Sequence, residues 1–281
     1  MKIGEPLIVN LACTGVIPTR KMNPYVPVEH DEIVEDVAKC MELGVQIVHL
    51  HARDSEERQI GDPEPYGRLI ESIRKLPGGN DLIIGVTTSG RKDPDFESRA
   101  RVLDLDGSAK PDMASLTLSS LNFVQAASIN EPDIICKLAE RMKERGIKPE
   151  LEVFDLGMIN YSYYLLRKGF LEEPLYFNIL LGNIAGAQPD PAHFSSMINF
   201  LPAGSINTVA GLGQFQLGAN GLGILFSDGV RVGLEDNIWY DQSRTKHADN
   251  CSLVSRVIEQ GKLFDRTLLP RRELRDKLKL I

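Results

Sequence analysis

Short runs of β-branched and other apolar residues alternate along this chain with longer amphipathic stretches. The runs have the length and residue types of buried strands, and turn-forming residues separate them from the next amphipathic stretch. They predict eight strands, at residues 7–12, 45–51, 82–87, 113–118, 151–154, 176–181, 206–210 and 230–233. The repeated alternation of these strands with amphipathic stretches is the main fold signal in the sequence.

Between the strands, apolar residues recur three and four positions apart, which is the spacing of one face of a helix. The clearest case is residues 31–43, followed by Gly44 at the position where glycine commonly ends a helix. This pattern predicts helices at residues 31–43, 66–75, 132–145, 158–168, 191–200 and 214–225. The tail, residues 245–281, is also predicted to be helical, packing outside the main fold or on another subunit.

Strands that alternate with helices predict an α/β protein with a parallel sheet. Eight strand and helix units in 281 residues favour a (β/α)8 TIM barrel, with an open doubly wound sheet as the alternative. One barrel routinely takes this length, and no low-complexity linker marks a boundary. We therefore predict a single barrel domain over residues 1–281, with additional C-terminal helices.

Composition and charge exclude several classes of function. The net charge is −7, and Lys and Arg are scattered rather than striped, so no nucleic-acid partner is expected. Neither a leader pattern nor a run of about eighteen apolar residues occurs, which predicts a cytoplasmic protein without a membrane partner. Cys13, Cys40, Cys136 and Cys251 lie far apart, with no CxxC pair, so they are expected to act as small hydrophobes.

The pair His49 and His51 ends the second predicted strand. Side chains at i and i+2 of a strand project to the same side, so both imidazoles can reach one cation. Zn²⁺ suits imidazole, and a catalytic zinc site has three protein ligands, so a third ligand must come from elsewhere. The alternative is two polar residues satisfied by hydrogen bonds at a strand end.

In a barrel the functional residues lie where strands end and loops begin. Polar or glycine-rich segments follow seven of the predicted strands, including residues 87–91 and 235–237. The eighth strand neighbours the first in a closed barrel, which places Glu235 one strand away from the two histidines. His49, His51 and Glu235 would then form a metal site, unless Glu235 and Asp236 only cap the following helix.

Five segments taken together resemble the β-keto acid cleavage enzymes, whose best-known member acts in lysine fermentation. The segments are residues 49–54, 87–90, 150–154, 210–213 and 231–237, and the resemblance runs from Pro6 to about Phe264. It implies a zinc-dependent (β/α)8 acyltransferase that converts a β-keto acid and acetyl-CoA into acetoacetate and a new acyl-CoA by retro-Claisen cleavage. A homodimer or homotetramer is expected.

The resemblance also implies roles for individual residues. It assigns His49, His51 and Glu235 to zinc, and Asp236, Arg231, Thr87 and Ser115 to catalysis. Asp236 is the candidate base, expected to take the α-proton of acetyl-CoA. Predicted substrate and CoA-binding residues are Thr14, Arg20, Thr88, Ser89, Gly90, Glu152, Gly211 and Gly213.

The chain departs from the lysine-fermentation enzyme after Thr14 and Gly15. Val16 and Ile17 stand where that enzyme has a glutamate that pairs with the substrate amino group. A buried ammonium without a counter-charge is costly, so 3-keto-5-aminohexanoate is not the expected substrate. Arg20 or Lys21 could receive a second carboxylate of a β-keto diacid, although a neutral β-keto acid is equally compatible. Both residues could instead lie at the surface or contact CoA phosphates.

Two other functions remain open from the sequence. A metal-dependent aldolase, or another carbon–carbon lyase, would use the same two histidines and one carboxylate without acetyl-CoA. A barrel that binds a metal or a metabolite without turnover is the non-enzymatic alternative.

Overall fold

Eight parallel strands close into a barrel in the computed structural model, which describes residues 1–91 and 93–280. The strands in chain order are β1 (Ile8–Ala12), β2 (Ile47–Leu50), β3 (Ile83–Val86), β4 (Met113–Thr117), β5 (Leu121–Asn122), β6 (Ala127–Ser128), β7 (Lys148–Val153), β8 (Tyr176–Leu181), β9 (Ile206–Gly211) and β10 (Gly229–Val232). The barrel order is β1-β2-β3-β4-β7-β8-β9-β10, and β10 pairs with β1. The predicted barrel is therefore confirmed, and the alternative of an open doubly wound sheet is wrong.

The helices that follow the strands also lie close to the predicted positions. They are α1 (His30–Leu43), α2 (Pro63–Arg74), α3 (Phe96–Ala100), α4 (Pro132–Arg145), α5 (Leu156–Arg167), α6 (Pro191–Asn199), α7 (Gln216–Phe226), α8 (Asn250–Lys262) and α9 (Arg271–Leu278). The short helix α3 and the two-stranded β5–β6 hairpin had no counterpart in the prediction, because each is too short to show a period. Within the described residues, none of these helices combines the length and hydropathy of a membrane-spanning segment.

The strand β7 begins at Lys148, three residues before its predicted start. The apolar pattern did not predict these three residues as part of the strand, because Lys148, Pro149 and Glu150 are not apolar. Glu150 is nevertheless fully buried inside the barrel, where its Oε1 accepts hydrogen bonds from Asn10 Nδ2 at 2.8 Å and Asn178 Nδ2 at 2.6 Å. A buried, hydrogen-bonded network of this kind fixes side-chain positions, and it lies directly beneath the carboxyl end of the barrel.

The C-terminal tail packs on its own barrel in two different places. Helix α8 packs against α1 on the outside, as an eighth outer helix. After it, Leu269, Leu274 and Leu278 pack against the first residues of the strands and close the amino-terminal end of the barrel. Helix α8 begins at Asn250 with Asp249 as its N-cap, so residues 245–249, predicted as helical, are not. The predicted assembly with other subunits stays a prediction.

Asp36, at the contact of α1 with α8, supports a prediction about stability. Its carboxylate is half-buried and accepts a hydrogen bond from Asn250 Nδ2 at 2.5 Å. Burial away from water raises the pKa of Asp36 to about 6, and the negative charge of the nearby Asp249 contributes to the rise. The folded state therefore binds a proton more tightly than the unfolded chain, so this group lowers stability as the pH rises from about 4 to about 6.

We expect Asp36→Asn to be more stable than the wild type by about 2 kcal/mol at pH 7, and to lose this advantage near pH 4. Urea unfolding at several pH values measures the difference. Glu42→Gln, the same change on an exposed part of α1, is the control and should shift stability by less than about 0.5 kcal/mol. Parallel stability curves for Asp36→Asn and the wild type would contradict the prediction.

Candidate active site

His49, His51 and Glu235 converge at the carboxyl end of the barrel. His49 is in β2, His51 directly follows β2, and Glu235 follows β10 on the other side of β1. The Nε2 atoms of the two histidines are 3.2 Å apart, and His51 Nε2 is 3.3 Å from Glu235 Oε1. One ligand atom from each residue lies within 4.8 Å of the other two. Closure of the barrel thus brings together the three residues predicted from the sequence.

The donor set of these three residues fits a divalent cation. Two imidazole nitrogens face one carboxylate oxygen, which is the ligand chemistry of a catalytic zinc site. The second oxygen of Glu235, Oε2, is buried and has no hydrogen-bond partner among the described residues. An unpaired buried acceptor is costly unless something else binds it. A cation at this point would satisfy the oxygen.

Glu150 orients the first histidine. Its Oε2 lies 2.8 Å from His49 Nδ1, which leaves His49 Nε2 pointing toward His51 and Glu235. Burial opposes a charged imidazole here, but the carboxylates of Glu150 and Glu235 outweigh it and raise the pKa of His49 to about 9. Carboxylates behind a ligating histidine commonly fix its tautomer and strengthen it as a ligand. No role was predicted for Glu150 from the sequence, because β7 lies three strands from β2 and only the closed barrel brings Glu150 against His49.

Arg231 connects the candidate metal ligands to the candidate base. It is buried in β10, and its Nε donates to Asp236 Oδ2 at 3.0 Å while one terminal nitrogen lies 2.8 Å from Glu235 Oε1. The other terminal nitrogen lies 3.5 Å from Glu152 Oε1. Burial, with Glu235 close by, raises the pKa of Asp236 despite the attraction of Arg231. A carboxylate with a raised pKa is a stronger base than an ordinary aspartate, which suits it to proton transfer.

Four of the five hydroxyl residues predicted for the site, those in or near β3 and β4, fall into two groups. Thr87 and Ser89 line the central cavity, and Thr87 Oγ1 accepts a hydrogen bond from Ser89 N at 3.1 Å. Thr88 and Ser115 instead bond to each other: Thr88 Oγ1 donates to Ser115 O at 2.6 Å, and Thr88 N donates to Ser115 Oγ at 3.1 Å. The structure brings Thr87 and Ser89 to the other site residues, whereas Thr88 and Ser115 tie β3 to β4.

Several predicted binding residues support the cavity without lining it. Thr14 is buried, and its carbonyl accepts a hydrogen bond from Arg53 at 3.1 Å. A side chain at Gly90 would collide with Arg99, and one at Gly211 would collide with the backbone of Phe215. Glycine permits close packing at both positions.

Gly213 and Gly15 shape the loops around the carboxylates. Gly213 has a positive φ of 57°, and its N–H donates to the Asp236 carbonyl at 2.7 Å, which holds the backbone of the candidate base. Gly15 also has a positive φ, and a Cβ there would collide with Glu235 Cγ. The loop after β1 can approach Glu235 this closely only with glycine at position 15.

Arg20 lies away from the other predicted site residues. It is not among the residues that line the central cavity, and its guanidinium pairs with Glu32 Oε2 at 2.6 Å. A carboxylate of its own chain therefore occupies the position that a second substrate carboxylate would need. The diacid prediction based on Arg20 gains no support from this placement.

The site opens into a cavity of about 230 Å³. Its walls include Val16 and Ile17 as well as Glu152, which was predicted as a binding residue. Further lining residues were not predicted from the sequence: Arg91, Thr117, Leu121, Phe123, Ser128, Phe154, Leu180 and Leu212. Leu121, Phe123 and Ser128 come from the β5–β6 hairpin, which the sequence pattern was too short to reveal.

A larger groove of about 980 Å³ lies at the other end of the barrel. It is lined by basic residues such as Lys110, Lys148 and Lys279, and by Asp112, which pairs with Arg74. None of the predicted site residues lines it. The smaller cavity is the candidate active site, because it contains the two histidines together with Glu235 and Asp236.

Comparison with known proteins gives concordant matches in sequence and in structure. Residues 6–280 match the family described as beta-keto acid cleavage enzyme. The chain is 34% identical over 278 residues to a 3-keto-5-aminohexanoate cleavage enzyme of Fusobacterium nucleatum, covering 98% of each chain. It is 35% identical over 257 residues to a 3-oxoadipate:acetyl-CoA acetyltransferase of Cupriavidus necator, covering 90% of this chain and 87% of that protein.

A solved structure, the ternary complex of ObcA with a C4-CoA adduct and oxalate, is similar in fold. The TM-score is 0.77 at 21% identity, over 92% of this chain and 68% of that one. At this identity the likeness shows a common barrel architecture.

Proposed function

Since this chain belongs to the β-keto acid cleavage enzyme family, we propose that it converts a β-keto acid and acetyl-CoA into acetoacetate and a new acyl-CoA. The observation that carries the proposal is the buried cluster of Arg231, Glu235 and Asp236, which meets His49 and His51 on the floor of one cavity. An aldolase would need the same metal ligands. The coenzyme named for the Cupriavidus necator relative favours the acetyl-CoA reaction.

His49, His51 and Glu235 would hold a divalent ion, for which Zn²⁺ fits best because two of the three ligands are imidazoles. When bound, the ion would polarise the ketone and carboxylate oxygens of the β-keto acid as a Lewis acid. Glu150 would keep the ligating face of His49 turned toward the ion. Arg231 would hold both Glu235 and Asp236 in place.

The products determine which bonds change. The new acyl-CoA contains carbon 3 of the β-keto acid, and acetoacetate contains both its carbon 2 and the acetyl group. Carbon 2 must therefore form a bond to the acetyl carbonyl carbon, with CoA thiolate leaving. The thiolate must then attack carbon 3, and the bond between carbons 2 and 3 must break.

The proton that Asp236 removes must therefore differ from the one predicted from the sequence, which was the α-proton of acetyl-CoA. Attack by the methyl carbon of acetyl-CoA on the ketone would join that methyl carbon to carbon 3, and the adduct could not yield both products. Asp236 would instead take a proton from carbon 2, which is more acidic because a ketone and a carboxylate flank it. Asp236 would return the proton to the same carbon of acetoacetate after cleavage, so no net proton is consumed.

Thr87 and Ser89 would stabilise the negative charge that develops during these steps. Both line the cavity at the end of β3, where a hydroxyl can donate to a carbonyl oxygen as it becomes negative. Donors already held in position stabilise such charge without reorganising. Ser115 would contribute indirectly, by holding Thr88 and therefore the segment that carries Thr87 and Ser89.

The proposal predicts that acetoacetate forms only when both a β-keto acid and acetyl-CoA are present. An assay with acetyl-CoA labelled with ¹³C at its carbonyl carbon tests this sharply. We expect the label in the ketone carbon of acetoacetate and none in the new acyl-CoA, with the metal content of the protein determined alongside. Cleavage of the β-keto acid without acetyl-CoA would favour the lyase alternative and sink the proposal.

A further inference from the structure

Arg91 is a cation inside the candidate active site that has no role in the proposed steps of the reaction. It follows β3 and lines the same cavity as His49, His51 and Asp236. Its guanidinium carbon lies 3.6 Å from the centre of the Phe123 ring, on the β5–β6 hairpin. Its Nε is buried and has no hydrogen-bond partner within residues 1–91 and 93–280. A buried, unpaired guanidinium N–H is costly unless an acceptor binds it, so Arg91 is suited to bind an anion.

The carboxylates of the cavity cannot supply that anion, because each already has other partners. Glu152 accepts a hydrogen bond from Thr117 at 2.7 Å and lies 3.5 Å from Arg231. Glu235 and Asp236 both pair with Arg231. Across the described chain, no carboxylate lies within ion-pair distance of Arg91, although Glu235 and Glu152 act on it from farther away. Arg91 is therefore a cation of this cavity that has no paired carboxylate among the described residues.

The apolar residues of the cavity also bear on which substrate it can accept. Five apolar residues line the cavity: Val16, Ile17, Phe154, Leu180 and Leu212. None of these five can provide a counter-charge to a substrate ammonium. An ammonium group would in addition meet the positive charge of Arg91. A substrate with an apolar chain and a terminal anion would match both the apolar walls and the unpaired guanidinium.

Resting on the proposed function, we propose that Arg91 selects β-keto diacids by pairing with the carboxylate farthest from the ketone. The reacting end of such a substrate would lie at His49, His51 and Glu235, and the second carboxylate would accept hydrogen bonds from the guanidinium. Phe123 holds the guanidinium plane by stacking, which prepares it for a planar carboxylate. This role replaces the one predicted for Arg20, whose guanidinium pairs with Glu32.

A CoA phosphate is the other source of an anion. We favour the substrate carboxylate because Arg91 shares a cavity of about 230 Å³ with the reacting groups. The pantetheine arm of CoA separates its phosphates from the thioester, so a thioester reacting in this cavity would place the phosphates outside it. The two sources predict different kinetic effects of removing Arg91.

The test compares two acids of equal chain length, 3-oxoadipate and 3-oxohexanoate, with the metal-loaded wild type and with Arg91→Met. We expect Arg91→Met to lower kcat/KM by about 100-fold for 3-oxoadipate, and by less than about 3-fold for 3-oxohexanoate. KM for acetyl-CoA should stay unchanged. Arg91→Lys, which keeps the charge but loses the planar fork, should lose about 10-fold for the diacid. Arg68→Met, the same change at an exposed position of α2, is the matched control.

Three results would overturn the assignment. An equal loss for both acids would show a general structural role for Arg91. A higher KM for acetyl-CoA with unchanged preference between the acids would assign Arg91 to a CoA phosphate. If Arg20→Met lost the preference for 3-oxoadipate and Arg91→Met kept it, Arg20 rather than Arg91 would bind the second carboxylate.

Calorimetric binding of 3-oxoadipate without acetyl-CoA separates this inference from the proposed function. If the wild type forms no acetoacetate from either acid but binds the diacid, and Arg91→Met does not, the proposed reaction fails and the role of Arg91 stands. Equal binding of the diacid by the wild type and Arg91→Met would overturn that role.

Discussion

We expect Asp236→Asn to lower the rate of acetoacetate formation by about 10³-fold while the protein keeps its metal. The expected loss is in the range for removing a general base, because an amide cannot take the proton from carbon 2 of the β-keto acid. Geometry should change little, since asparagine is nearly isosteric and Arg231 still pairs with Glu235 at 2.8 Å. Measurement of kcat together with elemental analysis for zinc tests the prediction.

Asp36→Asn provides the matched control for this variant. It makes the same chemical change in a half-buried aspartate between α1 and α8, outside the cavity. We expect it to keep wild-type turnover. Near-normal turnover of metal-loaded Asp236→Asn would show that another group moves the proton, and the proposed role of Asp236 would then be wrong.

The second large effect is on metal binding. We expect His51→Ala to lose stoichiometric Zn²⁺ and with it the activity, because only His49 and Glu235 would remain as ligands. Glu150→Gln should weaken metal binding by about 10- to 100-fold, since His49 would keep its position but lose the carboxylate behind Nδ1. Equilibrium dialysis against Zn²⁺ measures both variants.

The graded order of these variants separates a metal site from a hydrogen-bonded histidine pair. His193→Ala is the control, because His193 is exposed on α6 and pairs with Asp190. Stoichiometric zinc in His51→Ala, or unchanged affinity in Glu150→Gln, would show that the cluster is not the metal site. A wild type that binds no divalent ion would support the alternative of two histidines satisfied by hydrogen bonds.

The proposed chemistry and the inference about Arg91 depend on different parts of the cavity. Asp236, Arg231 and the histidines occupy the ends of β2 and β10, where the reacting carbons would lie. Arg91, Phe123 and the apolar loop residues Val16 and Ile17 line another part of the cavity, which would contact the rest of the substrate. Variation in these outer residues can change the substrate without changing the reaction, since barrels vary their chemistry through the loops after the strands.

The eight strands, most of the helices and the pair His49 and His51 were predictable from the order of residues alone. These are local features, because the period of apolar residues and the i, i+2 geometry of a strand act over a few neighbouring residues. Glu235 required one further inference, that the eighth strand closes on the first. Short elements such as α3 and the β5–β6 hairpin were not predicted, because they contain too few residues to show a period of apolar positions.

Which of the many polar residues meet in the cavity depends on how the barrel closes and how its loops fold. Glu150 lies in a segment without apolar residues, and the register of β7 inside the closed barrel places it against His49. Arg20 and Arg91 both lie in loops after strands, yet Arg20 pairs with Glu32 while Arg91 stacks on Phe123. Long charged side chains take their direction from partners distant in sequence, and those partners are fixed only when the barrel closes and its loops fold over it.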